Sequence, residues 1–180
     1  MKKITTIFLL FIGISVFSQK FYTKTGITTF KASVAAFEPV EAENKSTSVL
    51  LKTGTGDIAA LLFVSAFRFK VALMEEHFNE NYMDVKKHPK ATFKGKLTGF
   101  QSSEISTEKA YPLTGTLTVR GVSKEINTVA RLQKVKDKIY LQAVLTVTPQ
   151  DFEINIPSIV RKKIAKSIQV TLDYELVEKK

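Results

Sequence analysis

Apolar side chains return at every second position along most of this chain. Between Lys138 and Thr148, Ile139, Leu141, Ala143, Leu145 and Val147 share one face, against Gln142, Thr146 and Thr148 on the other. Tyr140 and Val144 are the apolar exceptions. The same beat sets Leu113, Gly115, Leu117 and Val119 opposite Thr114, Thr116, Thr118 and Arg120. It sets Phe93, Gly95 and Leu97 opposite Thr92, Lys94, Lys96 and Thr98, and Ile168, Val170, Leu172, Tyr174 and Leu176 opposite mostly polar neighbours. Side chains alternate across a strand, so the pattern describes antiparallel strands that are dry on one side and wet on the other. The spacing predicts further strands over 27–37, 40–52, 57–70 and 125–135, eight in all. Turn chemistry separates them at 53–57, at Arg120-Gly121 and at 136–138. An all-β chain of this kind either closes into a barrel or stacks as two sheets. Gly95 and Gly115 fall on the inner face, where glycine permits sharp curvature or leaves room for something else.

The start of the chain follows other rules. Lys2 and Lys3 precede an apolar run over 7–17, and Ser18 supplies a small residue before Gln19. That order predicts a signal peptide over 1–18, cleaved to leave a single domain over 19–180. The run is too short for a spanning helix. The expected location is therefore the periplasm or the outside of the cell. Cysteine is absent, which excludes disulfides, thiolate nucleophiles and Cys-ligated zinc. Lys and Arg number 27 against 17 Asp and Glu, a formal charge of +10. Nucleic acid is not the expected partner, because neither basic cluster (86–96 or 161–166) interleaves aromatics on a sheet face.

Two segments break the alternation. Over 72–84, Met74, Phe78 and Tyr82 recur at helical spacing beside Leu73, with Glu75, Glu76 and Glu80 elsewhere. Over 156–166, Pro157 suits a first helical turn, and Ile159, Val160 and Ile164 form an apolar stripe. Arg161, Lys162, Lys163 and Lys166 make the rest of that second expected helix basic. An amphipathic basic helix meets anionic lipid headgroups, here through Arg161, Lys162 and Lys163. The strand over 57–70 ends in Phe67, Arg68, Phe69 and Lys70, which points its odd residues inward, Leu61 and Phe63 included. Ile58, Ala60, Leu62, Val64 and Ala66 would then face outward. A helix must cover that face or, failing that, a second copy in a homodimer.

Candidate chemistry is thin. The two histidines, His77 and His88, cannot supply the three or four ligands of a metal site by themselves. There is no Gly-x-Ser-x-Gly elbow and no phosphate-binding glycine loop. No catalytic residue, metal ligand or cofactor is expected, and the chain does not read as an enzyme. The sequon Asn44-Lys45-Ser46 is too short a pattern to carry weight.

Three runs nevertheless resemble the YceI-like family: 73–95 (LMEEHFNENYMDVKKHPKATFKG), 113–126 (LTGTLTVRGVSKEI) and 151–160 (DFEINIPSIV). The strand-turn-strand over 115–124 is the most specific part. Next come His77, Asp84, Pro89 and Phe93 in order. The resemblance implies an extended, eight-stranded, lipocalin-like antiparallel barrel with one or two short helices, exported by a bacterium. It also implies an elongated apolar cavity for a polyisoprenoid or quinone-like lipid. Joined to the inward faces, this singles out Phe30, Leu61, Phe63, Phe67, Phe69, Phe93, Leu97, Leu117, Leu141, Leu145 and Leu172 as tunnel-lining residues. Phe78 and Tyr82 would close one end, with the headgroup at a mouth near the basic helix. The competing expectation is a barrel filled by its own side chains, acting as an interaction or stress-response module through its basic surface.

Overall fold

Strand pairing closes on itself in the computed structural model, which describes residues 19–34 and 37–179. The expected signal peptide, 1–18, lies outside the described residues. The strands are β1 (Lys20–Ser33), β2 (Glu41–Lys52), β3 (Asp57–Phe63), β4 (Arg68–Phe69), β5 (Lys90–Leu97), β6 (Lys109–Val119), β7 (Val122–Val135), β8 (Lys138–Val147) and β9 (Ile164–Glu178). Their order is β1-β9-β8-β7-β6-β5-β3-β2, and β1 pairs with β2 to complete an eight-stranded antiparallel barrel. The two-residue β4 is an extra rung on β2, at Ala42↔Phe69 and Glu43↔Arg68. Of the two open topologies, closure therefore wins over the sandwich. The β6–β7 connection shows how local sequence sets register. Arg120 (φ 51°) and Gly121 (φ 79°) both lie in the left-handed region, as a two-residue turn matched to strand twist requires.

The two ends of the barrel differ. At one end Phe21, Leu51, Leu97, Leu132, Ile139 and Leu176 interlock with Ile105 from the β5–β6 connection. Ile105 is fully buried there, and its carbonyl accepts from Lys134 N at 2.6 Å. Burying such a side chain contributes roughly 1.5–3 kcal/mol each, so this end is a solid plug. At the other end lie the short helix α1 (Ala72–His77), a one-turn stretch over Pro149–Phe152 and the β8–β9 connection. Here the inward positions do not meet across the barrel, and a hollow remains.

Three expectations need correction. First, the segment 57–70 is not one strand. A 3-10 turn over Val64–Ala66 separates β3 from β4. A turn with three residues per repeat reverses a period-two alternation, so the parity read from Phe67 and Phe69 does not carry back into β3. Ile58 (5% exposed) and Val64 (0%) face inward, and Phe63 (48%) faces out. The apolar even face is thus the inner face, and the sequence argument for a covering helix or a second copy falls. Second, 156–166 is not a helix. Residues 157–163 form successive turns, closed by Val160 N→Pro157 O at 3.1 Å and Lys163 N→Val160 O at 2.8 Å, and Ile164 already begins β9. A run this short, with two β-branched residues and the sheet waiting at Ile164, does not repay helix nucleation. Third, β1 starts at Lys20 rather than Ile27. The irregular register between Thr23 and Gly26 hides the alternation there.

Pairing between β7 and β8 also stops short. β7 pairs with β6 from Val122 onward, and β8 pairs with β9 as far as Val147↔Ile168. Yet β7 and β8 meet each other only from Val135↔Lys138 to Ala130↔Ala143. Beyond that the two strands part, toward the hollow end. Thr128 Oγ1 donates to the Val144 carbonyl at 2.6 Å, and the turn Pro149–Phe152 packs against β7 and β9.

Candidate functional site

The hollow end encloses a cavity of about 190 Å³. Of the residues expected to line a tunnel, Phe30, Phe67, Phe93, Leu117, Leu141, Leu145 and Leu172 border it, and so does Phe78, expected to close one end. Leu61 borders it too, although alternation puts its side chain on the strand face opposite Ile58 and Ala60. Four expected residues lie elsewhere. Phe63 is on the outer surface beneath Lys90 Nζ, 5.4 Å from its ring centroid. Leu97 (1% exposed) belongs to the solid plug. Phe69 stands behind the lining, with its ring 5.1 Å from that of Phe78. Tyr82 ends the helical segment without reaching the cavity. Its hydroxyl is pushed above its ordinary pKa by burial.

The lining that sequence reasoning missed has two sources. Ile58, Ala60 and Val64 were assigned outward by the parity error in 57–70. Met83, Pro149, Phe152 and Ile154 come from connections, where alternation carries no signal. Beyond these two sources, Leu113, Val119, Val147, Ile168, Val170 and Tyr174 lie on the recognised inner faces of β6, β8 and β9 and were readable.

The glycines on the inner face have a defined use. Gly95 and Gly115 sit opposite each other across β5 and β6. A Cβ on Gly95 would meet the Thr114 carbonyl and lie 2.6 Å from Phe93 Cζ, and one on Gly115 would lie 2.8 Å from the same atom. Both glycines therefore form the bed on which the Phe93 ring lies. The room they leave is filled by this side chain rather than by a guest.

Beside α1, four phenylalanines meet. Phe30 stacks on Phe78 (centroids 5.4 Å apart, 29° between planes) and meets Phe67 edge-on at 5.2 Å. Phe78 belongs to a wider π-type turn, Phe78–Tyr82, that continues α1. The helix is fastened by Glu75, whose carboxylate accepts from Arg68 Nη1 at 2.9 Å and from Phe69 N at 3.2 Å. Leu73, beside that apolar row in the sequence, is 57% exposed.

At the floor of the cavity, Thr28 Oγ1 lies 2.8 Å from Thr47 Oγ1 and 3.0 Å from Tyr174 OH. All three residues are buried, and the hydroxyls satisfy one another. Burial pushes the Tyr174 hydroxyl up to about 12, against a smaller opposing effect of its bond with Thr28. Among the described residues no charged side chain borders the cavity. Charges gather only at the rim. There a hydrogen bond from Lys87, at 3.0 Å, holds the Asp84 carboxyl below its ordinary range, with help from the Lys87, His88 and Arg120 charges. The Arg120 guanidinium donates to the Glu153 carbonyl at 2.6 Å. His77 is exposed at the end of α1, and His88 packs on Gly121. Among the described residues no group of three or more His, Asp or Glu could hold a metal. Asn44 is fully buried, donating to the Phe63 carbonyl at 2.9 Å, so its sequon is closed to a glycan in the folded chain. Arg161, Lys162 and Lys163 are exposed, as is Ile159 at 86%.

Comparison with known proteins agrees with this architecture. The family model for the YceI-like domain matches residues 11–176. A polyisoprenoid binding domain from Saccharophagus degradans, implicated in plant cell wall breakdown, superposes with a TM-score of 0.75 at 12% identity, covering 90% of this chain and 99% of its own. BcnA from Burkholderia cenocepacia gives 0.70 at 16% identity, covering 84% and 96%. The YCEI protein of Campylobacter jejuni gives 0.65 at 19% identity, covering 80% and 87%. At these identities the likeness to solved structures is one of fold. No curated protein matches in sequence.

Proposed function

The chain belongs to the YceI-like family, and from that premise we propose that it is an exported binding protein that holds the tail of a polyisoprenoid or quinone-like amphiphile in its cavity. The observation that carries this reading is the blind apolar hollow, whose floor hydroxyls (Thr28, Thr47 and Tyr174) are spent on each other and whose lining holds no charged side chain among the described residues. Such a site rewards hydrocarbon at about 25 cal/mol per Å² removed from water and selects for length and shape. A polar headgroup has no partner inside and stays at the mouth. The polyisoprenoid-binding neighbour supports the choice of ligand class.

The cavity's size limits the reading. About 190 Å³ is more than an apolar cavity that accepts benzene (roughly 150 Å³) and less than a usual ligand pocket (roughly 300 Å³ or more). A long tail fits only when lining side chains swing aside. The small volume also favours the second reading, a barrel without a guest that works through its basic surface.

Organic extraction of protein purified without detergent, followed by mass spectrometry, separates the two. A stoichiometric isoprenoid or quinone supports the carrier. An empty extract, repeated after incubation with host lipids, sinks it. Leu117→Trp should abolish lipid retention in the carrier, while in a guest-free barrel it only overpacks the core, at roughly 1–3 kcal/mol. Delivery to a membrane would use the exposed turns at Ile159, Arg161, Lys162 and Lys163, an apolar tip among cations. Flotation with anionic vesicles tests this, and undiminished binding after charge reversal of Arg161, Lys162 and Lys163 would rule it out.

A further inference from the structure

We propose that the lipid passes sideways through the seam between β7 and β8, with the turn Pro149–Phe152 and the adjoining Ile154 as its door. This rests on the reading that the cavity holds a lipid tail. The wall of the barrel is interrupted in two places at the hollow end. Between β2 and β3 the gap is sewn, because Asn44 Nδ2 donates to the Phe63 carbonyl and pairing resumes at Ala42↔Phe69. Between β7 and β8 a side-chain bond also crosses, Thr128 Oγ1 to the Val144 carbonyl, but strand pairing never resumes beyond Ala130↔Ala143. Cavity-bordering residues stand on both sides of that seam, Ile126 and Thr128 on β7 and Leu145 and Val147 on β8. What lies against it on the inside is the door, with Phe152 only 2% exposed.

The door is built to move as a unit. Its hydrogen bonds are internal. Thr148 and Asp151 form a reciprocal capping box, with Thr148 Oγ1 donating to Asp151 Oδ2 at 2.7 Å, and Ile154 N donates to the Pro149 carbonyl at 3.0 Å. Among the described residues, no main-chain hydrogen bond joins 148–156 to β7. One polar contact fastens the door to the β6–β7 turn, the Arg120 guanidinium on the Glu153 carbonyl. That latch is only partly satisfied, since Arg120 Nε is buried without a partner among the described residues. Both latch residues sit in the left-handed region, at φ 51° and 55°. Outside the seam, Val129 and Val144 are 53% and 48% exposed, a pair of apolar lips flanking the parted strands. The alternative way in, past α1, must break the packed rings of Phe30, Phe67, Phe69 and Phe78 and both bonds to Glu75. The seam asks for two hydrogen bonds, Arg120 to the Glu153 carbonyl and Thr128 to the Val144 carbonyl, and one displaced phenylalanine.

Retinol, an isoprenoid whose fluorescence reports burial, serves as the probe. Loading from solution and release into phosphatidylcholine vesicles are followed by stopped flow. Arg120→Gln should raise both rates by about tenfold, the equivalent of one lost hydrogen bond in the barrier, with an unchanged loading-to-release ratio. Because the chain has no cysteine, Arg120→Cys with Glu153→Cys can be joined by a short bis-maleimide. The joined protein should load and release about tenfold or more slowly than the same protein before joining. Joined protein that loads at its original rate overturns the door. So does an Arg120→Gln protein with unchanged rates when Phe78→Ala alters them, which would put the passage at α1. Wild-type protein that takes up no retinol and yields no lipid on extraction removes the lipid reading as well.

Discussion

Tyr111 and Tyr174 are both buried, and their hydroxyls have opposite fates. Tyr174 is paired with Thr28, whereas the Tyr111 hydroxyl has no partner among the described residues although its ring packs edge-on with Phe100 at 5.3 Å. An unpaired buried hydroxyl costs more than the missing bond would contribute, so Tyr111→Phe should stabilise the barrel by about 1 kcal/mol. For a chain of this size, that is a rise of roughly 2–4 °C in Tm by calorimetry. Tyr174→Phe should move Tm the other way. Tyr174 also sets an alkaline limit. Its value is raised from about 10 to about 12 on folding. The stability this group contributes is therefore fully present below pH 10 and lost as pH climbs through 12. Phenolate absorbance should show one of the five tyrosines ionising last, together with unfolding. A Tyr174→Phe protein should lack that step.

Among the elements, the segment 57–70 shows where a period-two reading succeeds and where it fails. Strands β5, β6, β8 and β9 were legible because each carries an unbroken alternation, and their inner faces are those that border the cavity or the plug. In 57–70 nearly every residue is apolar, so the pattern had to be phased from one end, and the turn Val64–Ala66 changed phase in the middle. No glycine or proline marks that turn. The basic run after Pro157 misled for a related reason, because a short stripe of Ile and Val suits a helix and a strand equally. The corrected phase is open to test with one substitution on each face. Val64→Thr places a hydroxyl at a fully buried site and should cost roughly 1–3 kcal/mol in urea titration. Phe63→Thr removes a half-exposed ring and a cation–π contact, and should cost about 1 kcal/mol or less. Equal losses at the two positions would contradict the phase assigned here.

Taken as a whole, the barrel is solid at one end and hollow at the other, and its stability should be distributed accordingly. Amides beside Leu51, Leu97, Leu132, Ile139 and Leu176 should exchange hydrogen only through global unfolding. Amides of β7 and β8 beyond Ala130↔Ala143 should exchange far sooner. A bound tail should slow exchange at the hollow end alone, since it adds contacts only there. A uniform exchange profile would mean that the seam is no weaker than the rest of the wall.

The parted strands bear on how copies of this protein treat one another. A closed ring of strands offers no free edge, which is how barrels avoid adding strands from neighbours. Here the ring lapses in two places, between β2 and β3, where Asn44 and β4 close the gap, and along the stretch where β7 and β8 diverge. With the door shut, Phe152 and its neighbours cover that stretch. With the door ajar, backbone groups along the parted edges of β7 and β8, all but the Val144 carbonyl held by Thr128, lie open beside the apolar lips, a template for a strand from another molecule. An empty, open barrel would then be the sticky form and a loaded, shut one the sociable form, so a bound lipid would act as cargo and also as protection against aggregation.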